Sequence, residues 1–152
     1  MEESNLLLKQ LVSLTQDETN LTANLANISA FLYDQLPNVS WSGFYLFDST
    51  EQMLILGPFQ GKPACTRIGI GKGVCGQAFQ TKQTIIVENV HLFPGHIACD
   101  STTNAEIVVP LTSSQGAAVG VLDLDSRRFG RFKAKDQQFF ERIAKIAQKN
   151  WD

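Results

Sequence analysis

In Trp41-Ser42-Gly43-Phe44-Tyr45-Leu46-Phe47 the spacing of apolar residues changes from helical to every second residue, and the segment reads as a β-strand ending at Asp48-Ser49-Thr50. Upstream, Leu21, Leu25, Ile28, Leu32 and Leu36 recur at three and four residues, which predicts a helix over 21–36 that Pro37 stops. Leu6, Leu7, Leu11 and Leu14 predict a shorter amphipathic helix before it, set apart by the polar run Gln16-Asp17-Glu18-Thr19-Asn20. Downstream, Met53 to Leu56 reads as the hairpin partner of the first strand. Residues 57–76 hold six glycines (Gly57, Gly61, Gly69, Gly71, Gly73, Gly76) and two prolines, so they read as mostly turn around a short strand near Cys65 to Ile70.

A short helix is expected at Gly73 to Gln80, a β-branched strand at Thr84 to Val87, and then an irregular stretch from Glu88 to Asn104. Loops of that length are commonly functional or mobile. Two more strands, Glu106 to Leu111 and Ala117 to Asp125, turn at Ser113-Ser114-Gln115-Gly116. The chain closes on a helix whose apolar face holds Phe139 or Phe140, Ile143, Ile146 and Ala147. Helices flanking a run of mostly hairpin-connected strands indicate an α+β fold, a central antiparallel sheet covered on one face by the N- and C-terminal helices. The 152 residues, 43% hydrophobic and 18% charged, fit one domain over 1–152 with a core of its own.

A net charge of -2 argues against nucleic acid and against an anionic membrane surface as partners. No apolar run approaches the roughly 20 residues of a membrane helix. Met1-Glu2-Glu3-Ser4 lacks the basic head of a secretory signal, so a cytoplasmic protein is expected. Three cysteines cannot all pair within one chain, which leaves reactive, metal-bound or inert thiols.

Cys65, Cys75 and Cys99 all fall in the irregular middle of the chain. A thiol attacks as thiolate, and a helix N-terminus lowers its pKa; Cys75, just behind Gly71-Lys72-Gly73, has that setting. Cys99 lies between His96, which when protonated would favour thiolate, and Asp100, which would oppose it. Local chemistry therefore leans to Cys75. Buried inert thiols remain an alternative, as does zinc on Cys65, Cys75, Cys99 and His96, although no pair has the short spacing of structural zinc sites. In Val121-Leu122-Asp123-Leu124-Asp125 the two-residue period puts both aspartates on one strand face, and Glu106 on the neighbouring strand can point the same way. Such a face attracts a cation; a solvent-facing rim is the other reading. Trp41 and Tyr45 share a face with Gly43 between them, as two walls of an aromatic pocket or as core.

Gly57-Pro58-Phe59-Gln60-Gly61-Lys62-Pro63-Ala64-Cys65, Gly71-Lys72-Gly73-Val74-Cys75-Gly76, Phe93-Pro94-Gly95-His96-Ile97-Ala98-Cys99-Asp100-Ser101, Glu106-Ile107-Val108-Val109-Pro110 and Gly120-Val121-Leu122-Asp123-Leu124-Asp125 together resemble the free methionine-(R)-sulfoxide reductases, a GAF-domain family. The resemblance implies reduction of free methionine sulfoxide, R epimer, by a cysteine through sulfenic acid and an intramolecular disulfide, with thioredoxin as reductant and no cofactor. It implies Cys99 as nucleophile, against the local preference for Cys75, with Cys65 and then Cys75 as candidate resolving thiols. Glu106, Asp123 and Asp125 match the family's substrate carboxylates, Glu106 doubling as proton donor, and Trp41 and Tyr45 match its aromatic pocket. A homodimer through the N-terminal helices is expected from habit within the fold. The competing expectation is a GAF module that binds a small ligand as a sensor without chemistry.

Overall fold

The leucine stripes become two helices, α1 Glu2–Thr15 and α2 Leu21–Gln35. Asn20 caps α2, its side-chain oxygen accepting from the Ala23 N–H, and the helix ends one residue before the Leu36-Pro37 step. The computed structural model describes residues 2–151; Met1 and Asp152, the two ends of the expected 1–152 domain, lie outside the described residues. The strands are β1 Trp41–Asp48, β2 Met53–Gly61, β3 Arg67–Gly69, β4 Ile85–Val87, β5 Ala105–Thr112 and β6 Ala118–Ser126. Helix α3 Gly73–Thr81 precedes β4, and α4 Gln137–Gln148 follows β6. The six strands form one antiparallel sheet in the order β3-β2-β1-β6-β5-β4. No helix among the described residues is long and apolar enough to cross a membrane.

The two-residue period sorts each strand between two cores. Phe44 of β1, Ile107, Val109 and Leu111 of β5, and Leu122 and Leu124 of β6 pack under α1, α2 and α4 with Leu25, Ile28, Leu32, Phe140 and Ile143. This is the helix-covered face expected from the pattern. On the opposite face Trp41, Tyr45, Val108 and Val121 meet α3 through Val74, Cys75, Ala78 and Phe79. The second face is therefore only part apolar, and the segments 62–66, 70–72 and 88–104 complete its cover.

One expectation needs correction. The segment after Leu56 is not turn: β2 runs on to Gly61, pairing Phe59 with Gly43, Gln60 with Ser42 and Gly61 with Trp41. A shift of register between Gly43 and Tyr45 lets Gly57 and Pro58 pass as a bulge, so a proline and two glycines are carried in a strand. The other strands differ from expectation by one to a few residues at their ends.

Gly76 holds the loop before α3. A Cβ on it would lie well inside van der Waals contact of the Gly69 carbonyl oxygen, and the Gly76 carbonyl accepts from the Gly71 N–H at 2.9 Å. Gly76→Ala is expected to cost about 1–3 kcal/mol in urea unfolding, the range for forced overpacking. A cost near zero would mean that the 69–76 turn is not held as described.

Candidate active site

The register of three central strands assembles the site. β6 lies between β1 and β5, with Asp125 opposite Trp41 on one side and opposite Glu106 on the other. One rung along, Asp123 stands opposite Gly43 and Val108. Glu106, Asp123 and Asp125 consequently converge on the face away from the main helices, lining one cavity with Trp41, Tyr45, Cys75 and Cys99. Glu106 is 6% exposed and Asp123 5%. The solvent-rim reading does not hold for Asp123, whereas Asp125 is half-buried at the cavity edge.

Three carboxyls facing one cavity oppose one another's ionisation. Burial, then the charges of Asp123 and Asp125, push the Glu106 pKa well above the usual carboxylate range. Burial, then Asp123, does the same to Asp125. Asp123 is raised by burial, and hydrogen bonding with Glu106, Cys75 and Asp125 opposes that rise. Hydrogen bonding opposes the effect of burial most consistently at Asp123. His96 Nε2 lies 3.8 Å from Glu106 Oε1, and burial, then the charge of His91, lowers the His96 pKa.

The aromatic residues do more than wall the cavity. Trp41 stacks on Phe59 at 5.2 Å and on Tyr45 at 6.0 Å between ring centroids. Trp41 Nε1 donates to the Lys62 carbonyl at 3.1 Å and Tyr45 Oη donates to the Cys65 carbonyl at 2.9 Å, so both rings tie down the loop that carries Cys65. The room above Gly43 is taken by the Trp41 ring and by Phe59, which a Cβ at Gly43 would strike.

Cys65 and Cys99 are joined in a disulfide with 5.5 Å between their Cα atoms, inside the ordinary span of the bond. The backbone hydrogen bonds around Cys99 are local, Phe93 to Val90, His96 to Phe93, Cys99 to Ile97 and Thr103 to Asp100. Cys75 is the free cysteine among the described residues and is buried. Against the local preference for a thiolate in the first turn of α3, burial, followed by Asp123, Glu106 and Asp125, raises its pKa well above the ordinary thiol value. Its Sγ stands 3.9 Å from Glu106 Oε2. With two sulfurs bonded to each other, the zinc set of three cysteines and His96 cannot form in this state.

Sequence reasoning missed Phe59, which lay in a stretch read as turn, and Thr103, buried in the cavity wall. The alternation of Phe59 and Gly61 with Gly57 is a two-residue pattern that glycine and proline content masked. Nothing in the sequence near Thr103 marks it.

A family model described as GAF domain matches residues 22–149. The chain is 47% identical over 137 residues, 90% of its length and 81% of the relative's, to the free methionine-R-sulfoxide reductase of Escherichia coli (strain K12). It is 43% identical over 149 residues, 95% of its length and 83% of the relative's, to the free methionine-R-sulfoxide reductase of Saccharomyces cerevisiae. Among solved structures, the free methionine-R-sulfoxide reductase of Neisseria meningitidis in complex with its substrate superposes with a TM-score of 0.93 at 44% identity, covering 97% of this chain and 87% of that one. A matching family model over most of the chain, and relatives this similar over more than four-fifths of their length, show that the chain belongs to the GAF-domain family of free methionine-R-sulfoxide reductases.

Proposed function

We propose that this protein reduces free L-methionine (R)-S-oxide to L-methionine with Cys99 as nucleophile, Cys65 as resolving thiol and a thioredoxin-type dithiol as reductant. The observation that carries the reading is the Cys65–Cys99 bond at a cavity lined by three carboxyls and two aromatic rings. The names of relatives at 43% and 47% identity support the substrate and the oxidoreductase class.

The chemistry runs in two halves. With the bond reduced, the substrate ammonium meets Asp123 beside Asp125, and Trp41 and Tyr45 flank the thioether end, where positive charge develops at sulfur. The Cys99 thiolate attacks the sulfoxide sulfur, and Glu106, kept protonated by its surroundings, gives its proton to the oxygen. The methionine sulfur gains two electrons and the Cys99 sulfur loses two, taking the oxygen as sulfenic acid. Cys65 then condenses with that acid, expelling water and forming the disulfide. An external dithiol reopens it by exchange.

A sensor that only binds has no use for a bond that closes a loop onto its own ligand cavity, which favours the enzyme. The cytoplasm is the compartment where such a bond is recycled. The expected dimer through the N-terminal helices finds its support in Leu6, Val12 and Leu14, exposed on α1.

Incubation with methionine sulfoxide and dithiothreitol, followed by chromatography, should yield methionine from the R epimer. Cys99→Ser should lower turnover by at least ~10³-fold, and unchanged turnover in that variant removes the proposal. Glu106→Gln should lower kcat by about 10²–10⁴-fold and abolish the fall of kcat/KM on the alkaline side of the wild-type pH profile. The same variant carries a stability prediction. Since the folded-state pKa of Glu106 lies above its unfolded value, its contribution to stability is complete below about pH 4 and is lost as pH rises through the folded value. The Tm of Glu106→Gln should therefore gain on the wild type between pH 4 and pH 8; a constant gap would deny that the carboxyl is forced toward its neutral form.

A further inference from the structure

Cys75 has no part in the reaction just described, yet its sulfur faces that chemistry. Its Sγ, an oxygen of Glu106 and an oxygen of Asp123 all lie within 4.8 Å of one another, and all three residues are buried. Oδ1 of Asp123 is buried without a hydrogen-bond partner, in a residue only 5% exposed that lines the cavity. A buried thiol and two buried carboxyls, one of them keeping an oxygen without a hydrogen-bond partner, make a compact set of donors for a cation.

We propose that Cys75, Glu106 and Asp123 form a binding site for a thiophilic divalent cation, zinc being the natural case, that competes with the substrate ammonium and so shuts the reductase reversibly. Tetrahedral zinc, with bonds of about 2.3 Å to sulfur and about 2.1 Å to oxygen, sets its sulfur and oxygen donors about 3.6 Å apart. The 3.9 Å between Cys75 Sγ and Glu106 Oε2 is close to that spacing. One sulfur with two oxygens selects zinc, cadmium or cobalt over magnesium and calcium, which require more oxygens and no thiolate. Water fills the fourth position, and both the thiol proton of Cys75 and the carboxyl proton of Glu106 leave to solvent as the ion binds.

The site differs from the general poisoning of a redox thiol. Its sulfur is not one of the pair in the disulfide, so the ion binds whether Cys65 and Cys99 are bonded or reduced. Binding rests on the donor set alone, while the competition with substrate rests on the reductase reading.

Cobalt(II) titrated into the oxidised protein, without reductant, tests it. The expected result is a near-ultraviolet thiolate-to-cobalt charge-transfer band that saturates at one ion per chain. Zinc should erase the band, and so should free methionine, whose ammonium takes the same place. Cys75→Ser should lose the band, and Asp123→Asn, which keeps the thiol, should need at least about tenfold more cobalt to reach it, with circular dichroism reporting that each variant is folded. No band in the wild type, a band that survives in Cys75→Ser, or one that depends on reduced Cys65 and Cys99 overturns the proposal. Loss of the cation site with methionine sulfoxide still turned over defeats this inference alone. A cobalt band in a protein that turns nothing over defeats the reductase reading alone.

Discussion

A slip of β6 by one residue against β1 and β5 would turn Asp123 and Asp125 into the core under α1, α2 and α4 and bring Leu122 and Leu124 to the cavity. That alternative is excluded by hydrophobic burial: Leu122 and Leu124 have no exposed surface in the observed register, and fully burying a leucine is worth about 1.5–3 kcal/mol. The apolar side of the strand thus forces its acidic side into a shared cavity with Glu106 and Trp41. The site is a by-product of packing on the far face of the same sheet. Loops bring the thiols to it, and the rings that line it also anchor one of those loops.

Concentrating acids in this way works against stability. Glu106 and Asp125 are held well above their ordinary pKa values by burial and by neighbouring charge, and no Lys or Arg side chain is bonded to them among the described residues. A protein selected for stability alone would not place three carboxyls on adjoining rungs against the buried thiol of α3. In the proposed reaction a cation brought by the ligand relieves the strain on the group, and a carboxyl kept neutral has a proton to give. Binding and proton transfer draw on one arrangement.

Much of this was legible in the residues. The leucine stripes before Pro37, the alternation from Trp41, and the repeat Leu122, Asp123, Leu124, Asp125 each carry a period that names both the element and its buried side. Glycine and proline defeated the same method over 57–61, because a strand that absorbs a bulge shows the composition of a turn. The thiols were harder still. The helix terminus at Cys75 is a local feature that sequence reveals, whereas its carboxyl neighbours come from strands thirty residues and more away and reverse its electrostatics. The pairing of Cys65 with Cys99 likewise depends on two loops meeting over the sheet, and spacing along the chain contains no trace of it.

The central claim is that one sulfur, Cys99, takes the oxygen and that Cys65 closes the cycle. Fully reduced protein should be given a single equivalent of methionine (R)-S-oxide, quenched by alkylation, and mapped by mass spectrometry. The account predicts one bridge, between Cys65 and Cys99, with Cys75 alkylated and one methionine released per bridge. A bridge containing Cys75, or methionine formed with all three thiols still free, would contradict it.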